Sequence, residues 1–284
     1  MSAALTIAGY AMREAMRRRV FAVVLVLTAI SGVLYVVGTN FAFDHVRPGE
    51  TGPFGIDEHE IVGATIFGLA MFLTLFLGSV LAIFLTHGVV RGDAERGLLQ
   101  PLVVRPIGRG TLLLSRFLGA AGVSIVYVLG VYFAAMLITG LTGRWWPDRI
   151  AWPGVELAIG VVIVVALSLL GSVFLSSTAN GIAVFMLFGA GLVAGLLGTI
   201  GHALNSHAVK HASSIAAHVL PFEGLYQDAL RMITERASGL TGFLLQLGPF
   251  GGAYVHGWGI RVWAVVYLVL VLVAGVTAFG RRNL

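Results

Sequence analysis

The sequence has no cysteine in its 284 residues. Disulfides, thiolate metal sites and cysteine nucleophiles are therefore excluded. Charged residues are scarce as well, at 11% of the chain, whereas soluble domains carry roughly 25%. Hydrophobic residues make up 58%. This composition predicts an integral membrane protein.

Lysine is almost absent, with Lys210 as the single example, and it does not follow a glycine-rich loop. A Walker A motif is therefore missing, and this chain alone is not a P-loop ATPase. His59 and Glu60 begin no complete H-E-x-x-H motif, and no G-x-S-x-G elbow occurs. We predict a non-catalytic protein. The net charge of +5 is explained by arginines held on one side of a membrane, so no nucleic-acid partner is predicted.

Long apolar runs predict an all-α fold with six transmembrane helices, because about 20 helical residues cross the ~30 Å bilayer core. The predicted spans are residues 20–38, 62–86, 112–140, 154–176, 181–201 and 260–279. The first run is too long for a signal peptide, so we interpret it as a retained span. Apolar residues at helical spacing in 1–19 predict an interfacial amphipathic helix, with a solvated basic leader as the alternative. We predict a single domain over 1–284.

Charge around these spans predicts their orientation. Residues 41–60 hold five acidic residues and one arginine, whereas 88–110 are rich in arginine. By the positive-inside rule the first loop lies outside and the second inside, which places both termini in the cytoplasm. Residues 202–259 then form an extracytoplasmic segment with one or two amphipathic helices, of which 240–259 are a candidate re-entrant stretch.

Ionisable residues are nearly absent from the predicted spans. Glu156 and His87 lie close to span ends, where we expect both to be solvated. Ion-coupled transporters need buried charges, so this scarcity argues against them and against an ion-selective pore.

Three histidines offer a candidate metal site outside the membrane. His207, His211 and His218 fall on one face of a predicted helix. Exposed histidines without a metal are the alternative, because spacing alone satisfies only part of the test for a site. Our prediction for the chain is no metal.

The loop between spans two and three carries a motif. It consists of Glu95, Arg96, Gly97 and Leu98, followed by Pro106, Ile107, Gly108, Arg109 and Arg116. This pattern, together with the six-span layout, resembles the type-two ABC transporter permeases. Leu98 departs from it, since the family commonly has threonine there.

The resemblance implies that 88–110 contain a coupling helix that docks on a separate ATP-binding subunit. The residues expected to dock are Arg91, Glu95, Arg96, Leu98, Leu99, Leu102 and Val103. They combine charged groups with an apolar anchor, as a docking surface requires. Arg105, Arg109 and Arg116 are expected to fix topology or bind lipid phosphate. Alternatively, all these arginines serve only that purpose.

The resemblance also implies partners and a function. We expect two copies of the ATP-binding subunit, which hold ATP and Mg, and a second permease copy or a paralogue. This chain is expected to bind no cofactor and to lie in a bacterial cytoplasmic membrane. The predicted function is export of a hydrophobic or amphipathic substrate along spans two and five. The alternatives are a mechanotransmitting or assembly subunit that acts on an extracytoplasmic partner, for example in metal-enzyme maturation, and a scaffold without an ATPase.

Overall fold

The computed structural model describes residues 19–44, 46, 55–86, 109–203, 206–247 and 257–281. Nine helices form the regular structure of these residues, with no strand among them. They are α1 (Arg19–Phe43), α2 (Glu58–Leu85), α3 (Arg109–Gly143), α4 (Trp152–Phe174), α5 (Ser177–Ala203), α6 (His207–Val219), α7 (Pro221–Ile233), α8 (Gly239–Leu247) and α9 (Gly257–Arg281). The predicted all-α fold is confirmed.

Six of the helices are long and apolar enough to cross a membrane, namely α1 to α5 and α9. This confirms the six predicted spans, although the helices extend beyond several predicted ends. For example, α2 begins at Glu58, because Asp57 caps it by accepting a hydrogen bond from Glu60 N at 3.0 Å. Glu58 and Glu60 in the first turn also interact favourably with the helix dipole. Hydropathy alone does not register such polar first turns.

Helix α4 is the centre of the bundle and packs against α2, α3, α5, α7 and α9. Leu157, Val161, Val165 and Leu169 on α4 are all buried, one helical turn apart. They meet large side chains of α2 such as Phe67 and Leu75 within one core. A helix that is apolar on all sides is surrounded either by other helices or by lipid. Other helices cover most of α4.

The segment 202–259 contains the helices α6, α7 and α8 among its described residues, whereas one or two helices were predicted there. Every residue of α7 except Arg231 is buried, because α7 enters the bundle beside α4 and α9. Residues 1–18, with most of the predicted interfacial helix, and 87–108, with most of the coupling loop, lie outside the described residues. That helix, the coupling helix and the single domain stay predictions.

Candidate functional site

The helices α2 and α3 flank the predicted docking loop, and the loop itself lies outside the described residues. Arg91, Glu95, Arg96, Leu98, Leu99, Leu102, Val103 and Arg105 all lie outside the described residues. Arg109 is the first residue of α3, and Arg116 lies half-buried two turns further along. The roles of all ten residues therefore stay predictions, and the surrounding geometry is what bears on them. We call the end of the bundle where this loop leaves α2 and enters α3 the loop end, and the opposite end the far end.

Three buried polar side chains meet at the loop end: Thr86, Ser168 and Asn180, here called the loop-end cluster. Thr86 caps α2 and is the last described residue before the loop. Its Oγ1 donates to Ser168 Oγ at 2.6 Å. Asn180 Nδ2 donates to Ser168 O at 2.9 Å and lies 3.3 Å from Ser168 Oγ. The cluster thus joins the start of the loop to α4 and α5.

The loop-end cluster is closed to solvent and tightly packed. Thr86 and Ser168 are 0% exposed and Asn180 is 2% exposed. Asn180 Oδ1 lies where a Cβ would be at residue 171, so only Gly171 fits there. Buried polar groups that lose a partner cost more than exposed ones, so this arrangement resists separation of α2 from α4.

The other side of the loop rests on a different helix. Val276 Cγ1 on α9 lies 3.1 Å from the position that a Cβ would take at Gly110. One turn later, Leu113 Cδ2 lies 3.4 Å from the corresponding position at Gly275. The entrance to α3 is therefore packed closely on the last helix. A force on the loop would reach α4 and α5 through Thr86, and α9 through the first turns of α3.

At the far end, Arg261 of α9 holds two buried carboxylates, and we call Glu156, Asp228 and Arg261 the ion cluster. Arg261 Nε donates to Glu156 Oε1 at 2.6 Å, and Arg261 Nη2 donates to Asp228 Oδ2 at 2.8 Å. Glu156 is 1% exposed and Asp228 0%. The expectation that Glu156 is solvated is therefore wrong, since the arginine at the start of the last span and the fold of α7 cover it.

Further contacts fix the ion cluster in position. The guanidinium carbon of Arg261 lies 5.8 Å from the centre of the Trp152 ring and 5.5 Å from that of Trp258. Such cation–π contacts add to the ion pairs, here on two rings that are themselves exposed. Asp228 Oδ1 also accepts from Gly257 N at 3.2 Å, at the start of α9. The cluster therefore ties α4, α7 and α9 into one unit.

A second buried carboxylate of α7 faces α5. Glu223 Oε1 accepts from Gln227 Nε2 at 2.9 Å and lies against Gly195, where any side chain would clash with it. Glu223 Oε2 has no partner within the described part of the chain. Burial raises the pKa of Glu223 to about 8. Its carboxyl group is therefore mostly protonated near neutral pH.

Helix α4 connects the two ends of the bundle. Glu156 and Ser168 are twelve residues apart on it, about 18 Å along the axis. Both are fixed by buried polar contacts, and the residues between them are almost all buried. One continuous, closely packed helix therefore links the polar contacts at the loop end to those at the far end.

The three candidate metal ligands lie on α6. His207, His211 and His218 are all exposed, and the His218 Nδ1 atom is 2.7 Å from Ser214 O on the same helix. Over the described ranges, no three histidine or acidic side chains come together as a metal site would require. The geometry of these three histidines therefore gives no support to a metal site.

The six apolar helices agree with a comparison of the whole sequence with known protein families. The profile of the ABC-2 family transporter proteins matches residues 5–284. The chain belongs to this family. The family places it among ABC permeases, which are membrane proteins with several transmembrane helices, as the resemblance in the loop motif implies.

Two relatives of this ABC-2 chain are described as probable ABC transporter permease protein NosY. The protein from Stutzerimonas stutzeri is 31% identical over 120 residues, which are 40% of this chain and 41% of the relative. The protein from Pseudomonas aeruginosa strain PAO1 is 36% identical over 81 residues, 28% of this chain and 29% of the relative. The aligned part thus spans less than half the length of each relative.

The sequence of this ABC-2 chain gives little signal for the loop-end cluster and the ion cluster. The loop-end cluster consists of ordinary membrane hydroxyls and an amide, which usually bond to their own helix. The ion cluster had a weak signal, since Glu156 and Arg261 both lie in the first turns of apolar runs at the predicted outer side. Opposite charges at equal membrane depth are candidates for a pair, but Asp228 becomes their neighbour only through the fold of α7.

Proposed function

We propose that this chain is the membrane subunit of an ATP-driven exporter of hydrophobic or amphipathic compounds. A separate subunit, present in two copies, binds ATP and Mg and docks on the loop 88–110. The chain itself binds no cofactor and works with a second permease copy. It lies in the bacterial cytoplasmic membrane with both termini inside.

The observation that carries the proposal is the way in which the loop is anchored. Its first end joins the loop-end cluster through Thr86, and its second end packs on α9 through Gly110 and Leu113. A loop that only fixed topology would have no need of buried polar contacts to the central helix. A docking loop needs such contacts, because closure of the ATPase has to move the spans.

The apolar character of the spans supports the proposed substrate class. The ion cluster holds buried charge, but its arginine is already paired with both carboxylates. The described spans therefore offer a substrate mostly apolar surface and hydroxyl groups, which suit a compound dissolved in the membrane.

Co-purification tests the docking. The tagged chain is expected to bring an ATP-binding protein with it from native membranes, and the double variant Glu95→Ala/Leu99→Ala to lose most of it. Glu235→Ala is the matched control, since Glu235 is an exposed acidic residue in the connection between α7 and α8. Equal recovery of the ATPase with both variants would contradict docking through this loop.

Export is tested with the purified complex in proteoliposomes. ATP is expected to drive net movement of a fluorescent amphipathic dye across the bilayer, and the docking variant to abolish that movement. ATP hydrolysis that is stimulated by the chain but moves no compound from a panel of amphipathic dyes would contradict export. It would point instead to a subunit that transmits motion to an extracytoplasmic partner.

A further inference from the structure

A cavity of about 230 Å³ lies between α1, α2 and α3, away from the loop-end cluster and the ion cluster. The α1 residues that line it are Thr28, Ser31, Gly32 and Tyr35, which are spaced along one face of the helix. These residues occupy the middle of the span, and all four are partly exposed. The cavity is therefore reached from within the bilayer.

Small residues create this space. At Gly32 of α1 and Gly130 of α3, an added Cβ would meet nothing within 4 Å. Ala134 and Ala135 continue the same wall on α3. Closely packed helices use small residues to approach each other, and a helix pair with small residues and open space between them has room for another molecule.

Three of the four hydroxyl groups in the wall, those of Thr28, Tyr35 and Thr74, have their protons engaged within the protein, and the fourth belongs to Ser31. Thr28 Oγ1 donates to Val24 O and Thr74 Oγ1 donates to Ala70 O, each at 2.7 Å.

Tyr35 is engaged in the same way. Its hydroxyl pairs with Thr139 Oγ1, whose own proton goes to Ala135 O at 2.9 Å, so Tyr35 is the donor in that pair. Because a hydroxyl has one proton and two lone pairs, Thr28, Tyr35 and Thr74 keep acceptor capacity and no free donor. These three side chains therefore offer acceptors to a ligand that donates a hydrogen bond.

We propose that this cavity binds a neutral, apolar molecule with one hydroxyl group, such as a small phenol dissolved in the membrane. An engineered cavity of 150 Å³ holds benzene, so this volume accepts roughly ten non-hydrogen atoms. A charged donor such as an ammonium group is disfavoured at this depth by the cost of dehydration. The proposal concerns binding alone and is independent of the docking and export proposed above.

Equilibrium dialysis with tritiated 4-propylphenol tests the proposal on the full chain in nanodiscs, with empty nanodiscs to subtract partitioning. We expect saturable binding to the wild type and at least tenfold weaker binding to Gly130→Leu, which fills the cavity. Gly122→Leu is the matched control, because Gly122 is on the same helix, has open space at its Cβ and does not line the cavity. It is expected to bind as the wild type does.

Propylbenzene tests the hydroxyl requirement. Without a donor it is expected to bind about 3- to 10-fold more weakly, the range of one neutral hydrogen bond. Tyr35→Phe is expected to reduce this difference, whereas Tyr267→Phe on α9 should not.

Three results would overturn the proposal. They are a lack of saturable binding, equal binding to Gly130→Leu and the wild type, and equal binding of the phenol and the hydrocarbon. Gly32→Leu fills the cavity from α1, so it replaces Gly130→Leu if that variant does not fold.

Discussion

Individual buried polar residues set the most specific properties of this ABC-2 chain. Glu156, Asp228 and Glu223 are almost completely buried, so each group depends on the few partners that the fold supplies. Arg261 pairs with the first two, Gly257 N and Arg231 also contact Asp228, and Gln227 supplies one partner for the third. Because an unpaired buried charge is costly, removal of a single partner has a larger effect here than at the surface.

Replacement of Arg261 tests this dependence. Arg261→Met leaves Glu156 buried without a cation and Asp228 with Arg231 alone, at 3.4 Å, so we expect a loss of about 3 kcal/mol in the free energy of unfolding. Arg149→Met is the matched control, because the Arg149–Glu235 pair is exposed at the same end, and we expect no measurable change. Reversible unfolding in mixed micelles, followed by tryptophan fluorescence, measures both. Equal effects would contradict an energetic role for the ion cluster.

Glu223 predicts a pH dependence. Its pKa is raised from 4.5 to about 8 in the folded chain, so the folded state binds the proton more tightly than the unfolded state. The contribution of Glu223 to the free energy of unfolding should therefore be fully present below pH 4.5. Above that pH it should decline by up to about 1.4 kcal/mol per pH unit, until it is lost as the pH rises through about 8.

Glu223→Gln keeps a neutral side chain and should remove the part of this decline that Glu223 causes, so that the variant is more stable than the wild type at pH 8.5. Glu235→Gln, in an exposed pair, should leave the profile above pH 5 unchanged. Parallel pH profiles for the wild type and Glu223→Gln would show that the carboxyl group does not titrate in this window.

At the scale of elements, α4 is the part of the structure that relates one end of the bundle to the other. It carries Ser168 in the loop-end cluster and Glu156 in the ion cluster, with a buried helical segment between them. In the proposed transporter it converts motion of the docking loop into motion of α7 and α9.

The loop-end cluster provides the test of that conversion. Thr86→Val removes the hydrogen bond to Ser168 while it keeps the shape of the side chain. We expect the ATP-binding subunit still to co-purify, but ATP-driven dye movement to fall at least several-fold. Thr277→Val on α9 is the control, since its hydroxyl is exposed and bonds within its own helix. Full transport by Thr86→Val would exclude the cluster as a link.

The elements also show how far the sequence predicts this fold. Hydropathy identifies all six spans, because each must be apolar over the thickness of the bilayer. It does not identify the burial of α7, because Glu223, Gln227 and Asp228 give that helix a polar appearance. Their partners lie on α5 and α9 or within α7 itself. Local periodicity does not predict contacts between helices that are far apart in the sequence. The docking residues Arg91 to Val103 remain predicted from the loop motif alone.

On the scale of the whole molecule, one long face of α5 is uncovered. Ile182, Met186, Val193 and Leu197 repeat along it at helical spacing, and all are exposed in the single chain. The opposite face of α5 packs on α4, α6 and α7. Because the proposed transporter needs a second permease copy, we place the contact between copies along this face.

Crosslinking tests that contact in a chain with no natural cysteine. Met186→Cys, treated with a short bis-maleimide in membranes, is expected to migrate as a covalent dimer. Leu34→Cys on α1 is the matched control, since its side chain is 66% exposed compared with 71% for Met186, and it should remain monomeric. Dimers from Leu34→Cys alone would place α1, and not α5, between the copies.

The position of Arg261 in the chain has a consequence for biosynthesis. Glu156 and Asp228 are made before Arg261, because α9 follows α4 and α7 in the chain. Until α9 inserts, Glu156 has no cation and Asp228 has only Arg231 of its own helix, at 3.4 Å. We expect a chain truncated before α9 to be degraded faster than the full chain, because its buried Glu156 keeps no cation.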